Sequence, residues 1–297
     1  MGEALIDIVV DTQGEVNSIV GGAPLNTART ISRLGHPVSF IGGISHDSFG
    51  RRIKRELESD GVVIAIDQGM PEPSTVAIAS LDHTGAATYR FLLEGTSACS
   101  VTVDQAIAAF NPRAMALHVG TLALVLRPLA GAVCAVVDSM GEHQILMVDP
   151  NARPSVMTEA TSFQETFDHV LGRADVIKVS GDDLQFLFPG QDPALSARNL
   201  HASRGAVVLF TNGAESVSVF VAGSEQILAV PPVDVVDSVG AGDSFSGAFL
   251  SCWLQNHWTR DDLQDVHKVL TAARFGIKVA GLTCQKPGAQ PPFAREL

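Results

Sequence analysis

The chain has 297 residues, of which 46% are hydrophobic, and its formal net charge at pH 7 is −12. That length suits one large α/β domain or two smaller ones, whereas the acidic balance argues against a nucleic-acid-binding surface. The first residues lack the basic start of a signal peptide, and no segment is convincing as a membrane span.

The four cysteines are scattered along the chain and show no C-x-x-C spacing. Such a distribution is typical of free thiols in a reducing compartment, with a disulfide or a zinc site as the alternative. We therefore expect a cytoplasmic protein. The cysteines are Cys99, Cys134, Cys252 and Cys284.

Short β-branched runs alternate with longer amphipathic segments along the chain. Strands separated by helices imply right-handed crossovers and a largely parallel, doubly wound α/β sheet with helices on both faces. The predicted strands cover residues 5–10, 38–44, 116–120, 144–150, 175–179 and 206–211. The predicted helices cover residues 24–35, 48–60, 126–141, 160–172, 181–188, 193–203, 241–257 and 261–281.

Two stretches, at about residues 12–20 and 73–93, have strand character without an intervening helix. The second contains a DHTG turn between two β-rich runs, which predicts a hairpin. Because extra strands outside a doubly wound core commonly form a small sheet, we expect a lid on one core domain that spans residues 1–297. The exposed edges of such a lid also allow a homodimer through it.

The sequence DSVGAGDSF at residues 237–245 places a bare backbone turn before an apolar helix. Amide groups at a helix N-terminus carry partial positive charge, and the small residues Gly240, Ala241 and Gly242 let an oxyanion approach them. Asp243 follows in the first turn, where a carboxylate suits removal of a proton from an attacking hydroxyl. The arrangement fits phosphoryl transfer to an alcohol, and its alternative is an ordinary capping aspartate.

Other readings of this region have less support. GDSF resembles the GDSL signature of lipases, but no histidine has an aspartate three residues before it, and no G-x-S-x-G elbow occurs. A Walker-type G-x-x-x-x-G-K-[ST] loop is missing, and no G-x-G-x-x-G follows the first strand.

A second glycine cluster opens the segment GGAPLNTARTISRLG at residues 21–35. Together with DSVGAGDSFSGAFL it resembles the two signatures of the ribokinase-like, or phosphofructokinase-B, family of carbohydrate kinases. The resemblance runs from GEALID at the start to KPGAQPP near the end. It implies a ribokinase-like fold with a small β-sheet lid, and transfer of the γ-phosphate of ATP, with Mg²⁺, to a sugar hydroxymethyl group.

The resemblance also implies roles for individual residues. Asp243 matches the family's catalytic base, and Gly240, Ala241 and Gly242 match its anion hole. The matches on the sugar side are Asp7, Gly21, Gly22 and Asn26. A carboxylate inside the apolar run LIDIVV is costly to bury without hydrogen-bond donors, which sugar hydroxyls would supply.

On the nucleotide side, TNGAES at residues 211–216 resembles the family's T-x-G turn. Asp237 matches a monovalent-cation position, which implies K⁺ activation, although capping is an equal alternative. The family's N-x-x-E sequence is replaced here by Ser180 and Asp183, so that Asp183 is expected to reach Mg²⁺ through water. The implied ATP-binding residues are Lys178, Ser180, Thr211, Asn212, Gly213, Gly242 and Gly288.

The segments GEALIDIV, DPNARP and ATYRFLLEGTSA are most similar to bacterial fructokinases, and next to 2-keto-3-deoxygluconate kinases. Strand alternation places Tyr89 and Phe91 on one face and Arg90 on the other. An arginine that faces the pocket, either Arg90 or Arg153, would favour a carboxylated sugar as the substrate. An arginine that faces solvent would instead indicate a neutral sugar. We expect fructose as the substrate. The alternatives are 2-keto-3-deoxygluconate, ribose, or a regulator that binds sugar or nucleotide without catalysis.

Overall fold

The computed structural model describes residues 1–81, 87–158 and 163–297, and the strands and helices below are those of the described residues. The strands are β1 (Leu5–Val10), β2 (Val16–Gly21), β3 (Ser39–Phe40), β4 (Val63–Ile64), β5 (Thr75–Leu81), β6 (Ala87–Leu92), β7 (Ala116–Gly120), β8 (Ile145–Asp149), β9 (Val176–Ser180), β10 (Val207–Asn212), β11 (Ser216–Val221) and β12 (Ser224–Ala229). The helices are α1 (Ala23–Arg33), α2 (Ser48–Ser59), α3 (Val103–Ala109), α4 (Leu129–Asp138), α5 (Pro154–Met157), α6 (Phe163–Arg173), α7 (Gly181–Leu187), α8 (Pro193–Arg204), α9 (Ala241–Gln255) and α10 (Val266–Cys284).

A six-stranded mixed sheet with the order β12-β11-β10-β9-β8-β7 forms the main layer of the fold. Strands β7 to β10 are parallel and connected through helices, as the alternating pattern predicted. Their apolar runs are buried because helices cover both faces of the sheet. The antiparallel strands β11 and β12, which extend this sheet, were not predicted, and neither was α3.

A separate four-stranded sheet has the order β2-β1-β5-β6. The expectation that residues 5–10 belong to the doubly wound core was wrong, because β1 pairs with β2 and β5 in this smaller sheet. Its second strand also begins later than predicted, at Val16, and ends at Gly21. Strands β5 and β6 pair antiparallel, whereas the predicted DHTG turn between them lies outside the described residues.

The strand predicted over residues 38–44 was also mostly wrong. Only Ser39 and Phe40 form a strand, which pairs with β4 in a two-stranded parallel sheet. The glycines that follow are in close contact with other backbone: a Cβ on Gly42 or on Gly43 would collide with the carbonyl oxygen of Gly2 or of Ser97. Continued strand pairing is therefore replaced by an irregular connection to α2.

Helices α1 and α9 pack directly against each other. Gly247 of α9 makes this contact possible, since a Cβ there would lie 2.6 Å from the Cβ of Thr30 on α1. The two glycine-rich sequence segments that open these helices are thus brought to the same place. In the part of the chain that the structure describes, no helix has the length and apolar character needed to cross a bilayer. All four cysteines are free.

Candidate active site

A cavity of about 780 Å³ lies at the carboxyl ends of the parallel strands and is bordered on one side by the four-stranded sheet. Ligands commonly bind at this edge of α/β sheets. The wall of the cavity carries residues from both glycine-rich segments and from the ends of β7, β9 and β10. The lining residues are Glu3, Leu5, Asp7, Gly22, Ala23, Asn26, Phe91, Thr121, Leu122, Asn151, Arg153, Lys178, Ser180, Gly181, Asp182, Thr211, Asn212, Gly213, Ser238, Val239, Gly240, Gly242 and Asp243.

Asp243 is buried in the first turn of α9 and is held in place by α1. The Asn26 side-chain amide donates a hydrogen bond to Asp243 Oδ2 at 2.9 Å, and the Thr27 hydroxyl donates to the Asp243 carbonyl at 3.3 Å. Burial raises the pKa of Asp243, while the Asn26 hydrogen bond and the charges of Lys178 and Arg153 oppose that rise. An acid with a raised pKa is better suited to accept a proton than an ordinary surface aspartate.

The turn before α9 leaves backbone amides without acceptors among the described residues. Gly240 adopts a left-handed conformation with φ 76°, and the Ala241 amide donates to the Ser238 carbonyl. Within residues 1–81, 87–158 and 163–297, the amides of Gly242 and Asp243 have no acceptor. Of the three amides expected to form the anion hole, that of Ala241 is used in the turn, whereas those of Gly240 and Gly242 are available, as is that of Asp243.

Lys178 brings a positive charge to this turn. A Cβ on Gly242 would lie 2.8 Å from Lys178 Nζ, so the glycine makes room for the ammonium group. Nζ also donates to Asp149 Oδ2 at 3.0 Å in a buried ion pair. Burial lowers the pKa of Lys178, but the nearby carboxylates, Asp149 foremost, raise it by more, so the lysine is charged. Burial raises the pKa of Asp149 to about 6 although Lys178 opposes the shift.

Asp7 lies on β1 and faces the same cavity as Asp243. No donor among the described residues contacts its carboxylate, and burial raises its pKa to about 6. Gly21, on β2, pairs with Leu5 on β1. Because glycine has no Cβ, Asp7 Oδ2 can occupy the space beside it. Gly22 borders the cavity directly, with φ 118°. Gly21 thus shapes the site by admitting the Asp7 carboxylate.

Of the residues expected to distinguish one sugar from another, some border the cavity and others do not. Phe91 and Arg153 border the cavity, whereas Arg90 is exposed and does not. Arg90 is therefore not brought into the site, because strand alternation turns it to the other face of β6. The side chain of Tyr89 lies outside the described part of the chain. Arg153 Nη1 donates to Asn151 Oδ1 at 2.7 Å, which holds the guanidinium at the cavity wall.

Three buried polar atoms in the cavity wall have no partner among the described residues. They are Glu3 Oε2, Asn26 Oδ1 and Thr121 Oγ1. Thr121 has φ 53°, an uncommon conformation for a β-branched residue. Buried polar groups are usually hydrogen-bonded, so these atoms mark a place for a polar ligand. Sequence reasoning did not single out Glu3 or Thr121, although Glu3 lies in the GEALID segment on which the family resemblance rests.

The predicted nucleotide residues meet at the ends of β9 and β10. Ser180 and Thr211 are register partners in these strands and border the cavity with Asn212 and Gly213. Gly288 does not border it; the Gly288 amide donates to Asp237 Oδ2 at 2.8 Å. Asp237 also accepts from the Val239 amide at 3.0 Å, so that it ties the loop after α10 to the turn before α9.

Asp183, which was expected to reach Mg²⁺ through water, does not border the cavity, and its carboxylate is engaged by protein donors. Asp183 Oδ2 accepts from the Ser180 amide and hydroxyl, both at 2.7 Å, and Oδ1 accepts from the Ala152 amide at 2.6 Å. Ser180 and Asp183 form the capping box of α7, and the Ala152 amide engages the other oxygen of this buried carboxylate. The neighbouring Asp182 is exposed and borders the cavity instead.

The donor set fits a metal ion that arrives with a nucleotide. No group of three or more His, Cys, Asp or Glu residues suited to a metal occurs among the described residues. Mg²⁺ in kinases is held mainly by phosphates, water and one or two carboxylates. Asp182, which is exposed at the cavity, is the carboxylate available for this.

Comparison with known proteins agrees with this geometry. The profile of the pfkB family carbohydrate kinases matches residues 1–296. A fructokinase from Rhizobium leguminosarum bv. trifolii is 33% identical over 255 residues, which are 84% of this chain and 77% of that protein. A fructokinase from Vibrio alginolyticus is 27% identical over 84% of this chain and 82% of that protein.

Solved structures share the fold. The fructokinase of Vibrio cholerae O395 in its form with fructose, ADP and calcium ion has a TM-score of 0.84 at 26% identity, covering 97% of this chain and 92% of that one. The fructokinase of Xylella fastidiosa with bound ATP has a TM-score of 0.86 at 24% identity and the same coverage, and it supports the ribokinase-like fold alone. With both glycine-rich motifs meeting at one cavity, this chain belongs to the pfkB family of carbohydrate kinases and is an ATP-dependent sugar kinase.

Proposed function

We propose that this sugar kinase is a fructokinase, which transfers the γ-phosphate of ATP to a hydroxymethyl group of D-fructose. The observation that carries the proposal is the position of Asp243, which is buried, held by Asn26, located at a turn with free backbone amides and open to the same cavity as Asp7. The residues on one side of the cavity suit a polyhydroxyl compound, and those on the other suit phosphates.

The chemistry follows from this arrangement. Asp243 takes the proton of the sugar hydroxymethyl group. The hydroxymethyl oxygen forms a bond to the γ-phosphorus as the bond between that phosphorus and the ADP oxygen breaks. The amides of Gly242 and Asp243, with Lys178 Nζ, donate hydrogen bonds to the oxygens of the transferring phosphoryl group. A magnesium ion, when bound with ATP near Asp182, would neutralise the charge of the β and γ oxygens.

The four-stranded sheet supplies the opposite wall of the sugar side. Leu5, Asp7 and Phe91 project from it to the cavity, where a sugar would lie between this sheet and Asp243. We assign the sheet the role of a lid that keeps water from competing with the sugar for the phosphoryl group.

A neutral sugar suits the charges of the site better than a carboxylated one. Arg153 is the arginine at the cavity, and it already faces the acids Glu3, Asp7 and Asp243. A sugar acid would add a negative charge beside the carboxylates of Asp7 and Asp243, which Arg153 already partly offsets. The fructokinase relatives and the fructose-bound neighbour support the same choice.

The proposal includes finer points of organisation. Residues 1–297 form one kinase domain in the cytoplasm, and K⁺ binds near Asp237. Two chains pair through β2 or β6, which are the outer strands of the four-stranded sheet. Light scattering after size exclusion tests this dimer.

A coupled ADP-release assay tests the substrate. It compares D-fructose, 2-keto-3-deoxygluconate, ribose, tagatose and adenosine, each with and without K⁺. We expect the highest kcat/KM for fructose. A higher kcat/KM for another compound would reassign the substrate. If none of the compounds causes ADP release, the result favours a regulator that binds without catalysis.

A further inference from the structure

Glu3 is a buried acid in the cavity wall to which the phosphoryl transfer assigns no role. Its side chain is 1% exposed. Oε1 accepts a hydrogen bond from the Ala23 amide, at the start of α1, at 3.3 Å. Oε2 has no partner in the described part of the chain. The residue borders the same cavity as Asp7, Asn26 and Asp243, so a ligand in the sugar region is the available partner for Oε2.

The charges around Glu3 decide its protonation. Burial raises the pKa of Glu3 to about 8, and Asp243 adds to the rise. The backbone amide of Glu3 itself opposes this rise most, followed by Arg153 and then by the Ala23 amide. Burial outweighs the favourable groups because desolvation penalises the charged form of an acid. Burial therefore favours the protonated form of the Glu3 carboxyl group at neutral pH.

The other groups of the sugar region are mostly acceptors. Asp7 and Asp243 accept hydrogen bonds when ionised, and so does the free Asn26 Oδ1. Sugar hydroxyls can donate to these groups, but each sugar oxygen also has lone pairs that need donors. We propose that Glu3, as a neutral carboxylic acid, donates a hydrogen bond from Oε2 to an oxygen of the bound sugar and helps to select a neutral polyhydroxyl substrate. This inference rests on the proposed sugar substrate.

A purely structural role predicts the opposite charge. If Glu3 served only to cap α1, the ionised form would be favoured, because negative charge at a helix N-terminus is stabilising. Sugar affinity would then not fall when the carboxyl group loses its proton. The pH dependence of sugar binding separates the two roles.

Calorimetric titration of D-fructose, with a non-hydrolysable ATP analogue present, tests the proposal between about pH 6 and about pH 10. For the unmodified chain we expect a constant Kd up to about pH 8, then a rise that approaches about tenfold per pH unit. Glu3→Gln should show no such rise, because its amide donates at every pH and its carbonyl still accepts from Ala23. Glu3→Met should weaken binding about tenfold at neutral pH, the scale of one hydrogen bond.

Two results of the binding titrations would overturn the inference. One is an identical pH dependence in the unmodified chain and Glu3→Gln, which would assign the titration to another group. The other is an unchanged Kd in Glu3→Met. Thermal unfolding of both variants checks that the fold is retained.

Infrared difference spectroscopy gives a readout that does not depend on the sugar. The spectrum of the unmodified chain minus that of Glu3→Gln should contain the carbonyl band of a protonated carboxylic acid at neutral pH, lost as the pH rises through about 8. A missing band would overturn the role of Glu3 even if fructose binds. Conversely, if fructose fails to bind at any pH while the band is present, the proposed substrate is wrong and the neutral acid stands.

Discussion

Asn26 donates a hydrogen bond to Asp243 at 2.9 Å although the two residues lie 217 positions apart in the chain. This bond joins the first turn of α1 to the first turn of α9, so that the two glycine-rich segments form a single site. Because one oxygen of Asp243 is held, the other has a fixed direction toward the cavity, as a general base requires.

Gly242→Ala tests the anion hole. The added Cβ would lie 2.8 Å from Lys178 Nζ and would displace the ammonium group from the turn. We expect kcat to fall about 10²-fold, the scale of a small misplacement at a reacting centre, with little loss of stability because the displaced group ends a flexible side chain. Steady-state kinetics measures this change. Gly172→Ala is the matched control, since a Cβ at that helical glycine meets nothing within 4 Å.

Lys178→Met tests the buried cation. Loss of one donor to the phosphoryl group should lower kcat by about 10²–10³-fold. The same change leaves Asp149 buried without its partner, which should lower the free energy of unfolding by about 3–5 kcal/mol. Denaturant unfolding measures that loss. Adding Asp149→Asn should restore stability but not kcat; restored kcat would contradict a role for Lys178 at the phosphoryl group.

Asp7 predicts an acid limit to sugar binding. Its ionised form accepts from sugar hydroxyls, and its pKa of about 6 means that protonation removes this acceptor below that pH. Sugar affinity should therefore be full above about pH 6 and decrease below it by up to about tenfold per pH unit. Asp7→Asn should raise the Kd about 10- to 100-fold at higher pH and lose this dependence. An unchanged Kd in the variant would remove Asp7 from the sugar site.

Asp182 and Asp183 should respond differently to substitution. Asp182→Asn should raise the Mg²⁺ concentration needed for half-maximal activity without changing stability, because this acid is exposed at the cavity. Asp183→Ala removes the acceptor for the Ser180 and Ala152 amides, although Ser180 still caps α7, and should lower the free energy of unfolding by about 1–2 kcal/mol. Magnesium titrations and denaturant unfolding, applied to both variants, measure the two effects. The reverse result would return the metal role to Asp183.

The parallel part of the fold was predictable because its elements carry strong local patterns. The runs ALHVG and QILMVDP became β7 and β8 almost at the predicted bounds. By contrast, the apolar run LIDIVV indicates a strand but not its partner, and β1 joined the smaller sheet. The antiparallel strands β11 and β12 follow β10 without a helix, which obscured them in an alternating pattern.

The candidate site was predictable where a motif fixed the residue and not where two neighbours competed. Asp243 and Asn26 were found because helix-opening glycines define their positions. Asp182 and Asp183 are adjacent acids, and only the structure shows which is consumed by capping α7. Glu3 and Thr121 carry no spacing signal, since their exposure to the cavity depends on packing between distant segments.

Phosphoryl transfer by Asp243→Asn tests the central claim most directly. In a single-turnover experiment with excess enzyme, ATP labelled at its γ-phosphate and D-fructose, the label is followed into sugar phosphate. We predict a rate at least about 10²–10⁴-fold below that of the unmodified chain, with ATP binding retained, because the amide of asparagine cannot take the hydroxyl proton. Asp138→Asn, which changes a surface acid paired with His169, should leave the rate unchanged. A near-normal rate in Asp243→Asn would contradict its assignment as the base.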